Sequence, residues 1–281
     1  MQAMNIDELI KNALEEDLGD GDHSSLATIP AEARGKAMLV IKQPGILCGT
    51  LVGRKVFEMV DPATRVTILI EDGQAVGPGD VVLELEGKAI SILSAERLAL
   101  NFMQRMSGIA TFTNNLATMI RDYPCKLLDT RKTTPLLREL EKYAVRTGGG
   151  ENHRMGLYDM IMIKDNHIDF AGGIEKAVAA TRSYLDRKKM NLKIEIEVRN
   201  SKELEEVMRC GGVDRIMLDN FSPGDLATAV ERIGKKFETE ASGGINESNI
   251  VSYAATGVDF ISIGALTHQI KSLDMSLLAT F

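Results

Sequence analysis

The stretch from Leu192 to Gly244 reads LKIEIEVRNSKELEEVMRCGGVDRIMLDNFSPGDLATAVERIGKKFETEASGG, and it alternates short apolar runs with longer amphipathic segments. The runs LKIEIEV, VDRIMLD and FETEAS have the length of strands, and the segments between them have helical spacing. Strands that alternate with helices are typical of βαβ units in a parallel sheet. The stretch therefore predicts an α/β fold for this half of the chain.

Three further strands of the same kind lie on either side of this stretch. CKLLD begins at Cys125, YDMIMIK at Tyr158 and VDFISIG at Val258, so six strands are predicted in all. Six such strands can form an open doubly wound sheet or a barrel. Polar residues or glycines follow all six directly, as in barrel active sites, whereas an open sheet gathers its ligand-binding ends at one switch point. The sequence therefore favours a barrel.

The first part of the chain has a different pattern. Ile6, Ile10 and Leu14 lie at helical spacing, which predicts an amphipathic helix that ends at Gly19. From about residue 36 to residue 92, β-rich runs separated by Gly and Pro predict strands and tight turns.

Two helices are then predicted before the barrel. SAERLALNFMQRMSG begins at Ser94 and GIATFTNNLATMIRDY at Gly108, and Met103 and Met106 are interpreted as core residues. We expect an N-terminal α/β sandwich domain over residues 1–110, with residues 268–281 packed back on it, and a barrel catalytic domain over residues 111–267.

The composition excludes several classes of protein. The 33 Lys and Arg against 40 Asp and Glu give a net charge of −7, which argues against bulk binding to nucleic acid or an anionic membrane. The acidic N-terminus lacks the apolar segment of a secretory signal, and no apolar run is long enough to span a bilayer. Cys48, Cys125 and Cys210 are far apart, which favours reduced thiols and a cytoplasmic protein.

Cations cluster between Asp129 and Arg154, where six Lys or Arg stand against four Asp or Glu. A helix that begins near Pro135 is expected to carry solvated charges, namely those of Arg138, Glu139, Glu141 and Lys142. The loops on either side of it carry Arg131, Lys132, His153 and Arg154. Because Gly148–Gly150 lets the chain fold back, these four cations can converge on a ligand with several carboxylates or phosphates.

The polar residues and glycines in or directly after the other strands can each have more than one role. Glu197 and Asp219 can bind a hard cation or ribose hydroxyls, or they can be a structural pair held by Lys or Arg. Glu195 faces the same side of its strand as Glu197, and a barrel interior accepts it only if it is paired. Ser242-Gly243-Gly244 can bind phosphate or form only a turn. Lys164 can be a Schiff-base lysine, but nearby carboxylates favour an anion clamp.

The segment DTRKTTPLLRELEKYAVRTGGGENHRMGLYDMIMIKDNHI closely resembles the signature of quinolinate phosphoribosyltransferase, also called nicotinate-nucleotide pyrophosphorylase (carboxylating). SAERLALNFMQRMSGIAT, IEIEV, MLDNF, ASGGIN and DFISIGALTH also match, in the family's order. TPLLR stands where the family more usually has TPGLR, and Arg199 follows the acidic strand at a variable position. The resemblance covers nearly the whole chain. It implies the type II phosphoribosyltransferase fold, an N-terminal α/β open-faced sandwich joined to an incomplete α/β barrel.

The resemblance also implies an activity. Quinolinate and phosphoribosyl pyrophosphate would give nicotinate mononucleotide, CO2 and pyrophosphate, with Mg²⁺, in de novo NAD biosynthesis. The family's head-to-tail homodimer implies that Arg105 reaches into the partner's pocket, and further assembly stays open. Lys132, Glu197 and Asp219 would be catalytic, the last two also binding Mg²⁺ largely through substrate and water. Substrate would be bound by Arg105, Thr130, Arg131, Lys132, His153, Arg154, Lys164, Glu197, Asp219, Ser242, Gly243, Gly244, Ile263, Gly264 and Ala265.

Three other functions compete with this interpretation. A related phosphoribosyltransferase could act on nicotinate or another base or acid, such as the molybdenum-transport-associated relatives. A nicotinate enzyme has one fewer carboxylate to bind, so the full set of Arg131, His153, Arg154 and Lys164 argues against it. The other two are a Schiff-base aldolase that uses Lys164 and a ligand sensor without catalysis.

Overall fold

A computed structural model describes residues 6–280, and its elements are numbered here in chain order. The helices are α1 (Ile6–Leu18), α2 (His23–Thr28), α3 (Thr50–Val60), α4 (Ala89–Met119), α5 (Arg138–Thr147), α6 (Asp165–Ala171), α7 (Ile174–Lys188), α8 (Ser201–Cys210), α9 (Pro223–Ile233), α10 (Ile250–Ala254) and α11 (Ala265–His268). The strands are β1 (Arg34–Ile41), β2 (Gly45–Ile46), β3 (Arg65–Ile68), β4 (Ala75–Val76), β5 (Val81–Lys88), β6 (Lys126–Leu128), β7 (Ile161–Ile163), β8 (Ile194–Val198), β9 (Arg215–Asp219), β10 (Glu238–Ser242), β11 (Phe260–Ser262) and β12 (Met275–Thr280).

The chain divides into two compact units. The first takes in the chain up to Asn114, Thr133–Gly149 and the chain from Gln269 onward, and the second takes in Asn115–Lys132 and Gly150–His268. The predicted domains differ from these units, because α5 lies in the first unit and not with the barrel. Residues 1–5 of the predicted first domain and residue 281 of the C-terminal segment lie outside the described residues.

The first unit is built on an antiparallel sheet with the strand order β12-β1-β5-β3. Strand β5 alternates as a half-buried strand should, with Leu83 and Leu85 buried and Glu84 and Glu86 exposed. Leu83 packs in a core with residues of β1 and with Met103 of α4, which is fully buried. The interpretation of Met103 as a core residue is therefore confirmed.

The C-terminal strand belongs to the sheet of the first unit. Strand β12 pairs antiparallel with β1, with Leu277 opposite Leu39. The amide of Gln104 on α4 also donates to the carbonyl oxygen of Met275, at 2.9 Å. These contacts fix β12 on the sheet that β1 and β5 form.

Helix α4 replaces the two helices that the sequence predicted. It runs without a break through Gly108, which was expected to begin a second helix. A Cβ at Gly108 would meet the backbone of Lys271 and Ser272, so glycine is required there by the close approach of another segment. The prediction of a helix boundary at Gly108 was wrong. Glycine is common at helix ends, but here it is needed because another segment comes close to the middle of the helix.

The second unit contains a six-stranded parallel sheet with the order β6-β11-β10-β9-β8-β7. From β7 to β11 the strands lie side by side in chain order, and β11 then pairs with the first strand, β6. Pairing between the last strand and the first strand is how a barrel closes. Within residues 6–280, however, β6 and β7 are not neighbours, and an isolated bridge from Leu128 to Glu151 follows β6 instead. The predicted incomplete barrel is confirmed.

Candidate active site

The carboxyl ends of the six parallel strands meet at one edge of the barrel, and the polar residues of the predicted site follow them. Asp129 comes directly after β6, Lys164 after β7, and Asp219 and Ser242 end β9 and β10. Gly264 lies two residues beyond the end of β11. Because neighbouring parallel strands run in the same direction, these residues come from distant parts of the sequence to one edge.

A lysine and a carboxylate form an ion pair at this edge. The Lys164 Nζ lies 3.2 Å from Glu197 Oε2, and the Glu197 side chain is only 10% exposed. Burial raises the pKa of Glu197 above its ordinary value, Lys164 opposes that shift, and the charge of Asp219 adds to it. Burial also raises the pKa of Asp219, while the amide of Asn220 opposes the shift. Two desolvated carboxylates that repel each other favour a positive charge between them.

The Gly-rich turn after β10 packs against the residue after β9. The Asn220 N–H donates to Ser242 O at 2.9 Å, and Asn220 has a φ of 58°, a conformation that Asn tolerates. Gly243 has a φ of 95°, and a Cβ there would overlap the side-chain oxygen of Asn220. Only glycine fits at this point, where the backbone of the two strand ends comes into contact.

Lys132 lies over the glycine that follows β11. A Cβ on Gly264 would stand 2.9 Å from Lys132 Cδ, and the Thr267 hydroxyl donates to the carbonyl oxygen of Lys132 at 2.8 Å. The Thr130 hydroxyl accepts from the Lys132 N–H at 3.0 Å. Lys132 and Asp219 also interact electrostatically. These contacts fix the backbone of Lys132 at the same edge of the barrel.

Asp129 organises the loop that carries His153 and Arg154. The Asp129 side chain is fully buried and accepts from the His153 N–H at 2.9 Å and from the Asn152 amide at 2.5 Å. Arg154 then lies partly buried near Arg131. Burial and the charge of Arg131 both lower the pKa of Arg154. The charges of Glu195 and Asp159 oppose this shift but do not cancel it, so a further anion beside Arg154 would be stabilising.

The His153 ring contacts buried carboxylates inside the barrel. Its Nε2 lies 3.0 Å from Glu195 Oε2 and 3.3 Å from Glu240 Oε2, and all three side chains are at most 4% exposed. Arg215 completes the cluster, with Nη1 3.0 Å from Glu240 Oε2. Glu195 is thus paired, as its position in the barrel required. Three donor atoms of this cluster lie close enough to hold a metal, but the cations His153 and Arg215 already neutralise the carboxylates.

The protonation of this cluster follows from its charges. Burial alone would lower the pKa of His153, but its hydrogen bonds to Glu195 and Glu240 raise it to about 9. Burial and Glu240 raise the pKa of Glu195 to about 7, whereas His153 lowers the pKa of Glu240 against the effect of burial. The Arg154 N–H points at His153 Nδ1 at 2.7 Å and favours the neutral ring. The two buried carboxylates stabilise the charged His153 ring more than the dipole of one backbone N–H destabilises it. We therefore assign His153 as the imidazolium.

Arg105 lies in the first unit and contacts α5. Its Nε and Nη2 donate to Glu141 Oε1 at 2.8 and 2.6 Å. Glu141 and its neighbour Lys142 are each only 1% exposed. The prediction that these two charges are solvated was wrong, because α5 buries the face that carries them.

The sequence argument assigned no role to Glu141 or Glu240. A signal for Glu141 was present, because it stands four residues before Val145 and next to Leu140, on the apolar stripe of α5. Glu240 stands inside a predicted barrel strand, where a charged side chain must find a partner. The sequence does not say which partner.

Cys48, Cys125 and Cys210 are free thiols, as predicted. Among the helices within residues 6–280, none combines the length and the apolar character that a bilayer span needs.

Comparisons with known proteins point to one family. The model of the quinolinate phosphoribosyl transferase N-terminal domain matches residues 22–107, and that of the C-terminal domain matches residues 109–278. The chain is 45% identical over 284 residues to tobacco quinolinate phosphoribosyltransferase [decarboxylating] 1b, covering 96% of this chain and 81% of the relative. It is also 45% identical over 284 residues to the chloroplastic nicotinate-nucleotide pyrophosphorylase [carboxylating] of Arabidopsis thaliana, with the same coverage.

A solved structure agrees with these matches. The nicotinate-nucleotide pyrophosphorylase from Francisella tularensis superposes with a TM-score of 0.92 at 42% identity, covering 98% of this chain and 96% of that one. The two domain models together account for most of the chain, and the identities are well above the level at which only a fold is shared. This chain therefore belongs to the quinolinate phosphoribosyl transferase family.

Proposed function

We propose that this protein transfers the phosphoribosyl group of phosphoribosyl pyrophosphate to quinolinate with decarboxylation, giving nicotinate mononucleotide, CO2 and pyrophosphate in de novo NAD biosynthesis. The observation that carries the proposal is the edge of the barrel, where cations, a partly buried carboxylate pair and a Gly-rich turn lie together. These three groups match the charges of the two substrates. The names of its relatives describe the same reaction.

The cations fit the two carboxylates of quinolinate. The charge of Arg131 lowers the pKa of Arg154, and an anion beside Arg154 would oppose that effect. Lys164 supplies a third positive charge. Its ion pair with Glu197 argues against a Schiff-base role, because that chemistry needs an unprotonated nitrogen. The His153 ring faces Glu195 and Glu240, so we propose that it supports the loop next to Arg154 and does not contact quinolinate directly.

The carboxylate pair fits the ribose and Mg²⁺. Mg²⁺ prefers oxygen ligands and is often bound by one or two carboxylates together with substrate phosphates, which is the donor set that Glu197 and Asp219 offer. Both groups carry raised pKa values caused first by burial, so a cation beside them would be stabilising. When bound, Mg²⁺ would neutralise charge on the pyrophosphate. Glu197 and Asp219 would also accept hydrogen bonds from the ribose hydroxyls.

The glycines fit the 5′-phosphate. Ser242, Gly243 and Gly244 form a turn at the end of β10 whose backbone approaches Asn220 closely. Backbone N–H groups in such turns bind phosphate oxygens. The turn formed by Ile263, Gly264 and Ala265 lies at the end of the next strand and carries Lys132 against it.

The chemistry requires positioning and charge stabilisation more than proton transfer. The pyridine nitrogen attacks ribose C1, and the C1–oxygen bond breaks with its electron pair leaving on pyrophosphate. Glu197 and Asp219 stabilise positive charge at the ribose, and Lys132 stabilises the negative charge of the leaving group. The bond from ring C2 to its carboxylate then breaks. Its electron pair stays on C2 beside the cationic nitrogen, CO2 leaves, and C2 takes up a proton.

The assembly is part of the same proposal. We expect a head-to-tail homodimer in which Arg105 of one subunit completes the site of the other. Three free thiols fit a reducing compartment, so we expect the protein in the cytoplasm. Sedimentation of the purified protein tests the dimer, and a monomer with full activity would contradict it.

The activity is tested by a substrate comparison. Purified protein is assayed with phosphoribosyl pyrophosphate and Mg²⁺ against quinolinate and against nicotinate, and nicotinate mononucleotide and CO2 are measured. We expect a higher kcat/KM with quinolinate, because it engages both Arg131–Arg154 and Lys164. A higher kcat/KM with nicotinate would overturn the proposal. Chelation of Mg²⁺ should abolish turnover, and its re-addition should restore it.

A further inference from the structure

The side chains of Arg105 and Glu141 are hydrogen-bonded to each other and to Thr134 within the first unit. Glu141 Oε1 accepts from Arg105 Nε at 2.8 Å and from Nη2 at 2.6 Å, and Glu141 Oε2 accepts from the Thr134 N–H at 3.0 Å. Arg105 Nη2 also donates to the Thr134 hydroxyl at 2.7 Å. Glu141 and the Thr134 hydroxyl thus both accept from Arg105, and Glu141 carries a full charge.

The burial of the two side chains is unequal. The Glu141 side chain is 1% exposed, whereas that of Arg105 is 31% exposed. A carboxylate without water is stabilised only by partners, so Glu141 depends on Arg105 and on the Thr134 N–H. Arg105 still presents part of its side chain to solvent. The contact therefore differs from an exposed surface pair, which contributes little to stability.

The hydrogen bonds to Glu141 also fix the orientation of the Arg105 guanidinium group. The guanidinium group is planar, and two of its nitrogens are held on one carboxylate oxygen. Fixing Nε and Nη2 sets the plane of the group and therefore the direction in which its Nη1 edge points. A neutral side chain at position 141 would hold the guanidinium group less firmly.

We infer that Glu141 is a positioning residue that orients Arg105 for the active site of the partner subunit. The inference rests on the proposed function and on its shared site, and it adds a residue that acts through Arg105 without touching the substrate. Glu141 thereby acts on the site of the other subunit in the dimer. A pre-oriented cation binds a carboxylate with less loss of side-chain freedom.

The first test compares two neutralised glutamates on α5. Glu141→Gln keeps the shape but loses the charge, and Glu139→Gln is the matched control because Glu139 is exposed on the same helix. Losing a hydrogen bond to a charged group should lower kcat/KM for quinolinate about 10- to 100-fold, mainly through KM. The control should retain its activity. A Glu141→Gln protein that is folded by circular dichroism and has unchanged kinetics would overturn the inference.

A double-mutant cycle tests whether Glu141 acts through Arg105. If it does, adding Glu141→Gln to Arg105→Lys should lower kcat/KM by much less than it does in the native background, because the oriented guanidinium is already lost. Equal effects in both backgrounds would mean that Glu141 acts by another route. Glu141→Asp retains the charge and should recover part of the activity, which keeps the test valid if Glu141→Gln folds poorly.

Subunit mixing tests which site Glu141 serves. In a dimer of Glu141→Gln with Lys164→Ala, the site with native Lys164 receives a properly held Arg105 and should recover activity. In a dimer of Glu141→Gln with Arg105→Ala, neither site receives one, and activity should stay low. The reverse pattern would show that Glu141 serves its own subunit, and the inference would fail.

One more mixture separates this inference from the proposed function. Arg105→Ala with Lys164→Ala should regain activity if sites are shared, once subunit exchange has been verified. If it does not, the shared site is refuted, and with it the assignment of Glu141 to the partner. Recovery in this mixture without recovery in the Glu141→Gln and Lys164→Ala mixture would refute the inference about Glu141 alone.

Discussion

Gly264 and Lys132 are in such close contact that a methyl group on Gly264 would stand 2.9 Å from Lys132 Cδ. Gly264 does not have a positive φ, so alanine can adopt its backbone conformation. Gly264→Ala should therefore displace the Lys132 side chain and leave the barrel folded. A misplacement of about 1 Å can cost about 100-fold, and we expect kcat/KM to fall about 10- to 100-fold.

Gly77→Ala is the control for this substitution. Gly77 also lacks a positive φ, and no atom lies within 4 Å of a Cβ built on it. Its kinetics and melting temperature should match those of the native protein. If Gly264→Ala melts like the native protein and also has native kinetics, Lys132 is not where turnover requires it, and the contact has no functional consequence.

Leu136 adopts a backbone conformation that favours glycine. The Leu137 N–H donates to Thr134 O at 3.1 Å, which closes a turn with Pro135 and Leu136 at its centre. Leu136 has a φ of 68°, so the turn is type II, which favours glycine at that position. The left-handed conformation costs about 1–2 kcal/mol, and glycine loses about 0.5–1 kcal/mol in chain entropy. Leu136→Gly should raise the free energy of unfolding by about 0.5–1 kcal/mol.

Leu157→Gly makes this prediction specific. Leu157 is as exposed as Leu136, at 70%, but it does not have a positive φ. The same substitution there should leave the free energy of unfolding unchanged or lower it, since it only adds chain entropy. Urea unfolding of both variants measures the difference. A Leu136→Gly protein no more stable than Leu157→Gly would show that the turn is not strained.

The sequence predicted the barrel and its active edge because local patterns determine them. Strand length, helical spacing and a polar residue after each strand are visible without any structure. The burial of Glu141 was not predicted, because its partner Arg105 lies 36 residues away and only packing brings them together. The continuous helix through Gly108 was missed for a similar reason, since the segment that requires glycine there is near the end of the chain.

Glu197 should set the acid limit of activity. Burial raises its pKa, so the ionised form that we propose binds ribose and Mg²⁺ is lost at a higher pH than for an ordinary glutamate. The profile of kcat/KM should therefore fall as the pH decreases through that raised pKa. Lys164 opposes the rise in the pKa of Glu197. In the residual activity of Lys164→Met, the fall in kcat/KM should therefore occur at a still higher pH. Glu205→Gln, at an exposed ion pair, is the control and should not change the profile. A Lys164→Met profile that does not move would contradict the coupling.

His153 should make the protein less stable as the pH rises. Hydrogen bonds to Glu195 and Glu240 raise its pKa against burial from 6.5 to about 9, so the folded chain holds this proton more tightly than the unfolded chain. The resulting stabilisation is complete below about pH 6.5 and is lost as the pH rises through about 9. A shift of this size corresponds to at most about 3 kcal/mol.

His153→Gln removes this titration and retains a hydrogen-bond donor between the two carboxylates. The free energy of unfolding of the native protein, minus that of His153→Gln, should therefore shrink as the pH increases through that range. His23→Gln is the matched control, because His23 is exposed and its ion-pair partner Asp20 is exposed too. Its difference from the native protein should stay constant. A constant difference for His153→Gln as well would mean that the folded chain does not hold the proton on His153, and that the neutral ring favoured by the Arg154 N–H is the true state.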